Sequence, residues 1–181
     1  MDSSVQYSRE ILTRYGASPA EVARRLRDEL AAFEAALSRV PGERFFTPVK
    51  DFAPEDGDFS LAGSPAQQLE HVLKANTTFS KLIYVLNSTR PLPSGPKDPG
   101  ELANGRPVAP EHLRPAEGVT WAAIEPAWRE AHERLETEIL KTDPSSDRTF
   151  WHPFLGDLSA FDWGRVAALH TRRHARQLGA S

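Results

Sequence analysis

Apolar residues recur along this chain at helical spacing. Val22, Leu26, Leu30, Phe33, Leu37 and Val40 form one stripe, and Leu69, Val72, Leu73, Phe79, Ile83 and Leu86 a second. A third runs through Trp121, Ile124, Trp128, Ala131, Leu135 and Ile139, and a fourth through Trp163, Val166, Ala167, His170, His174 and Leu178. The starts are legible too. Ser18-Pro19-Ala20-Glu21 and Ser64-Pro65-Ala66-Gln67 each place a serine N-cap before a proline at N1, with an acid or amide at N3 to close a capping box. Pro41-Gly42 stops the first run; Asn87-Ser88 and then Pro91 stop the second. The fourth opens at Ser159, with Asp162 in place to support the cap. The pattern predicts helices over approximately 19–40, 65–87, 121–141 and 160–178, in one all-α domain over residues 1–181, a four-helix bundle with no strand. Pro126 is awkward within the third helix, so either the regular helix begins near Glu125 or it bends there.

The connections 41–63 and 87–119 are long, since helix links in bundles usually take about 2–8 residues. The second holds seven of the fifteen prolines, which favours a stiff, extended path. An up-down-up-down order needs short links, so at least one of these segments is expected to cross the bundle.

Composition narrows the function. The chain has 181 residues, 39% hydrophobic and 26% charged, as expected of a globular protein with a core. A formal net charge of −3 argues against nucleic-acid binding. Without cysteine there is no thiolate nucleophile, no disulfide and no thiolate metal site, so a bound metal must rest on nitrogen and oxygen donors. The first residues lack the basic and apolar regions of a signal peptide, and no apolar run is long enough to span a bilayer. The expectation is a soluble, cytoplasmic protein.

Helix four carries the candidate chemistry. His170 and His174 are four residues apart and share the apolar stripe, so both point inward and both can reach one ion. Buried imidazoles need partners, and either core hydrogen bonds or a shared metal would supply them. Of the candidates for a third ligand, His112 and His152 fall in predicted loops, where histidines are usually solvated, and His132 reads as a packed core histidine. His71, on the flank of the second stripe near a capped helix start, is the best choice, because helices hold ligands more precisely than loops.

A histidine early in the second helix, in Ser64-Pro65-Ala66-Gln67-Gln68-Leu69-Glu70-His71, is followed much later by His170-Thr171-Arg172-Arg173-His174 near the end of the last helix. In this order of features the chain resembles the DinB/YfiT-like metalloenzyme superfamily. The segment from His152-Pro153-Phe154-Leu155-Gly156 to Ser159 is similar to a functionally uncharacterised branch of it. The resemblance implies a four-helix bundle, often a homodimer, whose three histidines hold zinc, nickel or a similar ion; by position they are His71, His170 and His174. Some relatives carry a further histidine just before the last ligand, where this chain has Arg173. Some members transfer a low-molecular-weight thiol, some are described as hydrolases, and many have no known activity.

Three nitrogen ligands and an open position suit a catalytic ion. The reading that follows is metal-dependent transfer of a small thiol, supplied as co-substrate, to an electrophilic small molecule. The alternatives are a metal-dependent hydrolase and a non-enzymatic metal-binding stress-response protein. Thr171 stands where a His-Glu-x-x-His protease would carry its glutamate. Glu70 reads as a solvated charge, Arg165, Arg172 and Arg176 as a solvated face, and Trp121, Trp128 and Trp163 as core before pocket wall.

Overall fold

In the computed structural model, which describes residues 10–49, 63–103, 106–107 and 109–179, both Ser-Pro starts open helices. Helix α1 spans Pro19–Ser38 and α2 spans Pro65–Leu86. Ser64 and Gln67 close the full capping box: Ser64 Oγ accepts from the Gln67 amide at 3.2 Å, and Gln67 Oε1 accepts from the Ser64 amide at 3.0 Å. The first start departs from this. Ser18 caps Glu21, but the Glu21 carboxylate takes the amide of Ala17 rather than that of Ser18.

Helix α3 (Trp121–Leu140) begins at the Thr120 cap and carries Pro126 inside it. Pro126 offers no N–H to the carbonyl of Ala122, but both residues are exposed, so water can replace the missing bond. Helix α4 (Ala160–Gln177) starts at Ser159, whose hydroxyl accepts from the Asp162 amide at 3.2 Å.

The expectation of no strand is corrected. Among the described residues, two short antiparallel hairpins lie in the connections: β1 (Leu102–Ala103) with β2 (Arg106–Pro107), and β3 (Thr149–His152) with β4 (Gly156–Ser159). In the second, Thr149 faces Ser159 and His152 faces Gly156. Strands of two to four residues are too short to display a period of two, so the pattern could not announce them.

Side-chain contacts fix the helix directions. Helix α1 runs parallel to α4, since Gly164 sits against Val22 and Arg172 bonds Glu29 a turn or two further along both. It runs antiparallel to α3, where Trp128 Nε1 donates to Glu34 and Arg27 pairs with Glu136. Helices α2 and α3 are parallel, with Asn76 against His132 and Asn87 against Glu138. Helices α2 and α4 are antiparallel, with His71 near His174 and Phe79 near Trp163.

The order is therefore up, down, down, up, and α1 packs on α4 and α3 while α2 packs on the same two. Parallel α2 and α3 require the 87–119 connection to travel back along the bundle, about 33 Å for a helix of this length. It passes the β3–β4 turn, where the Gly100 amide donates to the Pro153 carbonyl at 3.1 Å, and then runs along α2, where the Leu113 carbonyl meets His71 and the Ala116 amide meets Glu70. Any side chain at position 100 would collide with the Phe154 ring, which occupies the space a Cβ would need. Inside, Leu26, Leu69, Ile83, Leu135 and Ile139 are fully buried, and Phe33 stacks on Trp128 with ring centroids 5.4 Å apart.

Candidate metal centre

The α2–α4 contact brings three imidazoles to one point. His71 lies in the second turn of α2, and His170 and His174 in the last two turns of antiparallel α4. One nitrogen from each can be chosen so that all three lie within 4.8 Å of one another. His71 Nε2 and His170 Nε2 are 3.0 Å apart. Nitrogens bound tetrahedrally at ~2.0–2.1 Å would stand ~3.3 Å apart, a few tenths from that spacing.

The surroundings decide where the protons sit. His71 Nδ1 donates to the Leu113 carbonyl at 2.7 Å, leaving its Nε2 lone pair aimed at the cluster. His174 Nδ1 is 3.4 Å from Gln68 Oε1, a long contact, and Gln68 is held in turn by donating to the Gly63 carbonyl at 3.2 Å. His170 Nδ1 is buried with no partner among the described residues. Without an ion, His170 must donate from Nε2 to His71 and leave its Nδ1 an unpaired acceptor. With an ion, both Nε2 lone pairs are used and the His170 proton sits on Nδ1, still without a protein partner among the described residues. The donor set fits a divalent cation.

Burial, first of all, pushes the three imidazoles below their ordinary range. For His170 and His174 the neighbouring histidines add to it; for His71 the Leu113 bond partly opposes it, while the Lys74 charge adds a little. All three are neutral at pH 7, the form a metal requires. Phe79 sets its ring edge-on to His170, with centroids 5.8 Å apart, and Trp163 covers Phe79. The residue that follows His170, where a protease motif would place its glutamate, is Thr171; it is fully buried, and its hydroxyl donates to the Ala167 carbonyl at 2.8 Å.

The other candidates separate cleanly. His112 is exposed in a short 3-10 turn and stands outside the cluster, although its neighbour Leu113 supplies the carbonyl that orients His71. His132 is a core histidine as expected: it is buried, Asn76 donates to its Nε2 at 3.0 Å, and burial pushes it down to about 4. His152 is a correction. It ends β3, is half-buried, and burial lowers it to about 4.

Three charges also read differently. Glu70 is not a solvated charge, because Lys74 pairs with it at 2.6 Å and its carboxylate accepts from the Ala116 amide. Burial works to raise this carboxyl, but those bonds outweigh it and hold it below its ordinary range. Arg165 donates twice to the Gly16 carbonyl and Arg172 pairs with Glu29, so these two tie α4 to the rest of the bundle. Trp128 and Trp163 are core as expected.

What the pattern missed is the supporting shell. Gln68 had a weak signal, one turn before His71 on the same face. The Leu113 carbonyl had none, since a backbone atom from a proline-rich segment leaves no mark on side-chain pattern.

No described helix is long and apolar enough to cross a membrane. No family model matches the chain, and no curated protein does. Among solved structures it is similar to TT2238, described as a four-helix bundle protein, at 22% identity and a TM-score of 0.63, covering 91% of this chain and all of that one. That likeness shows the fold: the chain is a four-helix bundle, and its His71, His170 and His174 could hold a metal ion.

Proposed function

We propose that this protein is a divalent-metal-dependent enzyme of the DinB/YfiT-like kind, which transfers a low-molecular-weight thiol to an electrophilic small molecule. The observation that carries the reading is the convergence of three neutral imidazoles from two antiparallel helices. A zinc or nickel ion held by three uncharged ligands keeps its positive charge and an open position, and would favour an anionic thiol there.

The chain's own groups do the rest. The Leu113 carbonyl and Gln68 orient two of the three rings, and Phe79 and Trp163 keep water from one side. Thiol transfer is favoured over hydrolysis because no carboxylate belongs to the cluster among the described residues. Glu70 is committed to Lys74 and Ala116, and Thr171 fills the place of a protease base. With no cysteine in the chain, the thiol must arrive as co-substrate. The same reading takes the protein to be cytoplasmic and a homodimer.

The metal-loaded protein is expected to accelerate conjugation of a small thiol to a chlorinated dye or an epoxide. The rate should vanish on chelation, return with added metal and fall in His71→Ala. Metal-dependent hydrolysis of a simple ester, with no thiol-dependent rate, would establish the hydrolase instead. Metal bound in stoichiometric amount with neither reaction would favour the non-enzymatic binding protein.

A further inference from the structure

His152 ends β3 at the turn of the β3–β4 hairpin, and its ring lies against Trp163 with centroids 5.1 Å apart. Trp163 packs on Phe79 at 5.5 Å, and Phe79 packs on His170, so one aromatic wall joins His152 to the candidate metal centre.

The turn fixes the state of the His152 ring. Its Nδ1 accepts from the amide of Phe154 at 3.1 Å and from the amide of Leu155 at 3.2 Å. Two N–H groups aimed at one ring nitrogen require a lone pair there, so a neutral ring must carry its proton on Nε2. The backbone thus presets His152 as a hydrogen-bond donor through Nε2. Among the described residues that N–H has no protein partner, and unlike His170 Nδ1 it is not sealed from solvent. This ring spends its acceptor on the turn and leaves its donor open to solvent.

We propose that His152 Nε2–H is a substrate-binding donor of this site, which takes a carbonyl or carboxylate oxygen on a small molecule seated at the metal centre. The inference rests on the metal reading above. It predicts preference for ligands that carry an oxygen acceptor beyond the atom reaching the ion.

The experiment uses protein loaded with Co(II) and two matched thiols, 3-mercaptopropionate and propanethiol, titrated through the cobalt–thiolate absorption. His152→Asn is the informative variant, because an asparagine Oδ1 can still accept the turn amides while the Nε2 donor is lost. His152→Asn is expected to weaken 3-mercaptopropionate about tenfold, the scale of a hydrogen bond to a charged acceptor. Propanethiol and Co(II) affinities should stay within about twofold, since neither uses the donor. Equal weakening of both thiols, or of neither, overturns the proposal. Nitrogen-detected NMR of the wild-type imidazoles gives a second readout independent of the variant: a His152 proton on Nδ1 overturns it even if His152→Asn fails to fold. Wild-type protein that takes up no Co(II) overturns the metal reading together with this one, whereas normal Co(II) and propanethiol binding with no selective effect of His152→Asn removes this inference alone.

Discussion

A histidine serves as a metal ligand only while neutral and correctly protonated, and the six in this chain differ in which of those conditions their surroundings meet. Burial keeps His71, His170 and His174 neutral, and carbonyl or amide partners set the protonation of His71 and His174. His170→Ala or His174→Ala should therefore strip the metal from purified protein, while His112→Ala, exposed and outside the cluster, should leave it bound; elemental analysis decides, and full occupancy in His174→Ala would remove the assignment. His132 shows the other fate of a buried imidazole. Its folded value of about 4 lies below the ordinary 6.5, so the unfolded chain takes up the proton first as pH falls. The contribution to stability is complete above pH 6.5 and is lost as pH falls toward 4. At ~1.4 kcal/mol per unit the loss is on the order of 3 kcal/mol. Urea midpoints at pH 7 and pH 4.5 should fall more steeply for the wild type than for His132→Leu, and parallel falls would show that His132 does not titrate in this way.

At the scale of elements, what was legible had a local cause. Each long helix has an oxygen-bearing cap and an apolar stripe at period 3.6, and their ends fall within a residue or two of the expected positions. Both hairpins escaped, because a strand such as Thr149–His152 is defined by its partner across the turn and not by its own sequence. Glu70, Arg165 and Arg172 read as solvated because helical pattern shows which side faces the apolar core, not what a passing loop, the segment before α1 or a charged residue of a neighbouring helix will lay against it. The two serine caps separate stability from site formation. Ser18→Ala and Ser64→Ala should each cost about 1 kcal/mol. Only Ser64→Ala should also weaken metal binding, because α2 carries Gln68 and His71 in its first two turns while α1 supplies no ligand. Equal metal affinity in the two variants, measured by competition with a chelator, would show that the cap does not help place His71.

For the molecule as a whole, the topology would make a bound ion an addition to the fold and not its foundation. The apolar core runs through all four long helices, and large buried side chains such as Trp128, Phe33 and Leu26 lie on the two that supply no ligand. The metal-free chain should therefore stay folded. The ion would add links between the start of α2 and the end of α4, which otherwise meet through packing and a few hydrogen bonds, with the returning 87–119 segment fastened there through Leu113. That segment was legible as long and proline-stiffened; its course was not, because it follows from α2 and α3 being parallel, a relation between distant helices. Binding to the folded state alone stabilises by about 2.7 kcal/mol when free metal stands a hundredfold above its dissociation constant. For a chain of this size each kcal/mol moves the melting temperature by roughly 2–4 °C, so chelation at neutral pH should lower it by about 5–10 °C. Helical circular dichroism at 25 °C should be unchanged. Protons compete for the same nitrogens, so the gap between metal-loaded and chelated protein should narrow as pH falls through the range of the three imidazoles, which burial sets beneath the ordinary 6.5. Thermal scans with and without chelator at pH 7.5 and pH 5.5 measure it. Melting temperatures that coincide at pH 7.5 would show that the three histidines hold no ion firmly enough to tie α2 to α4.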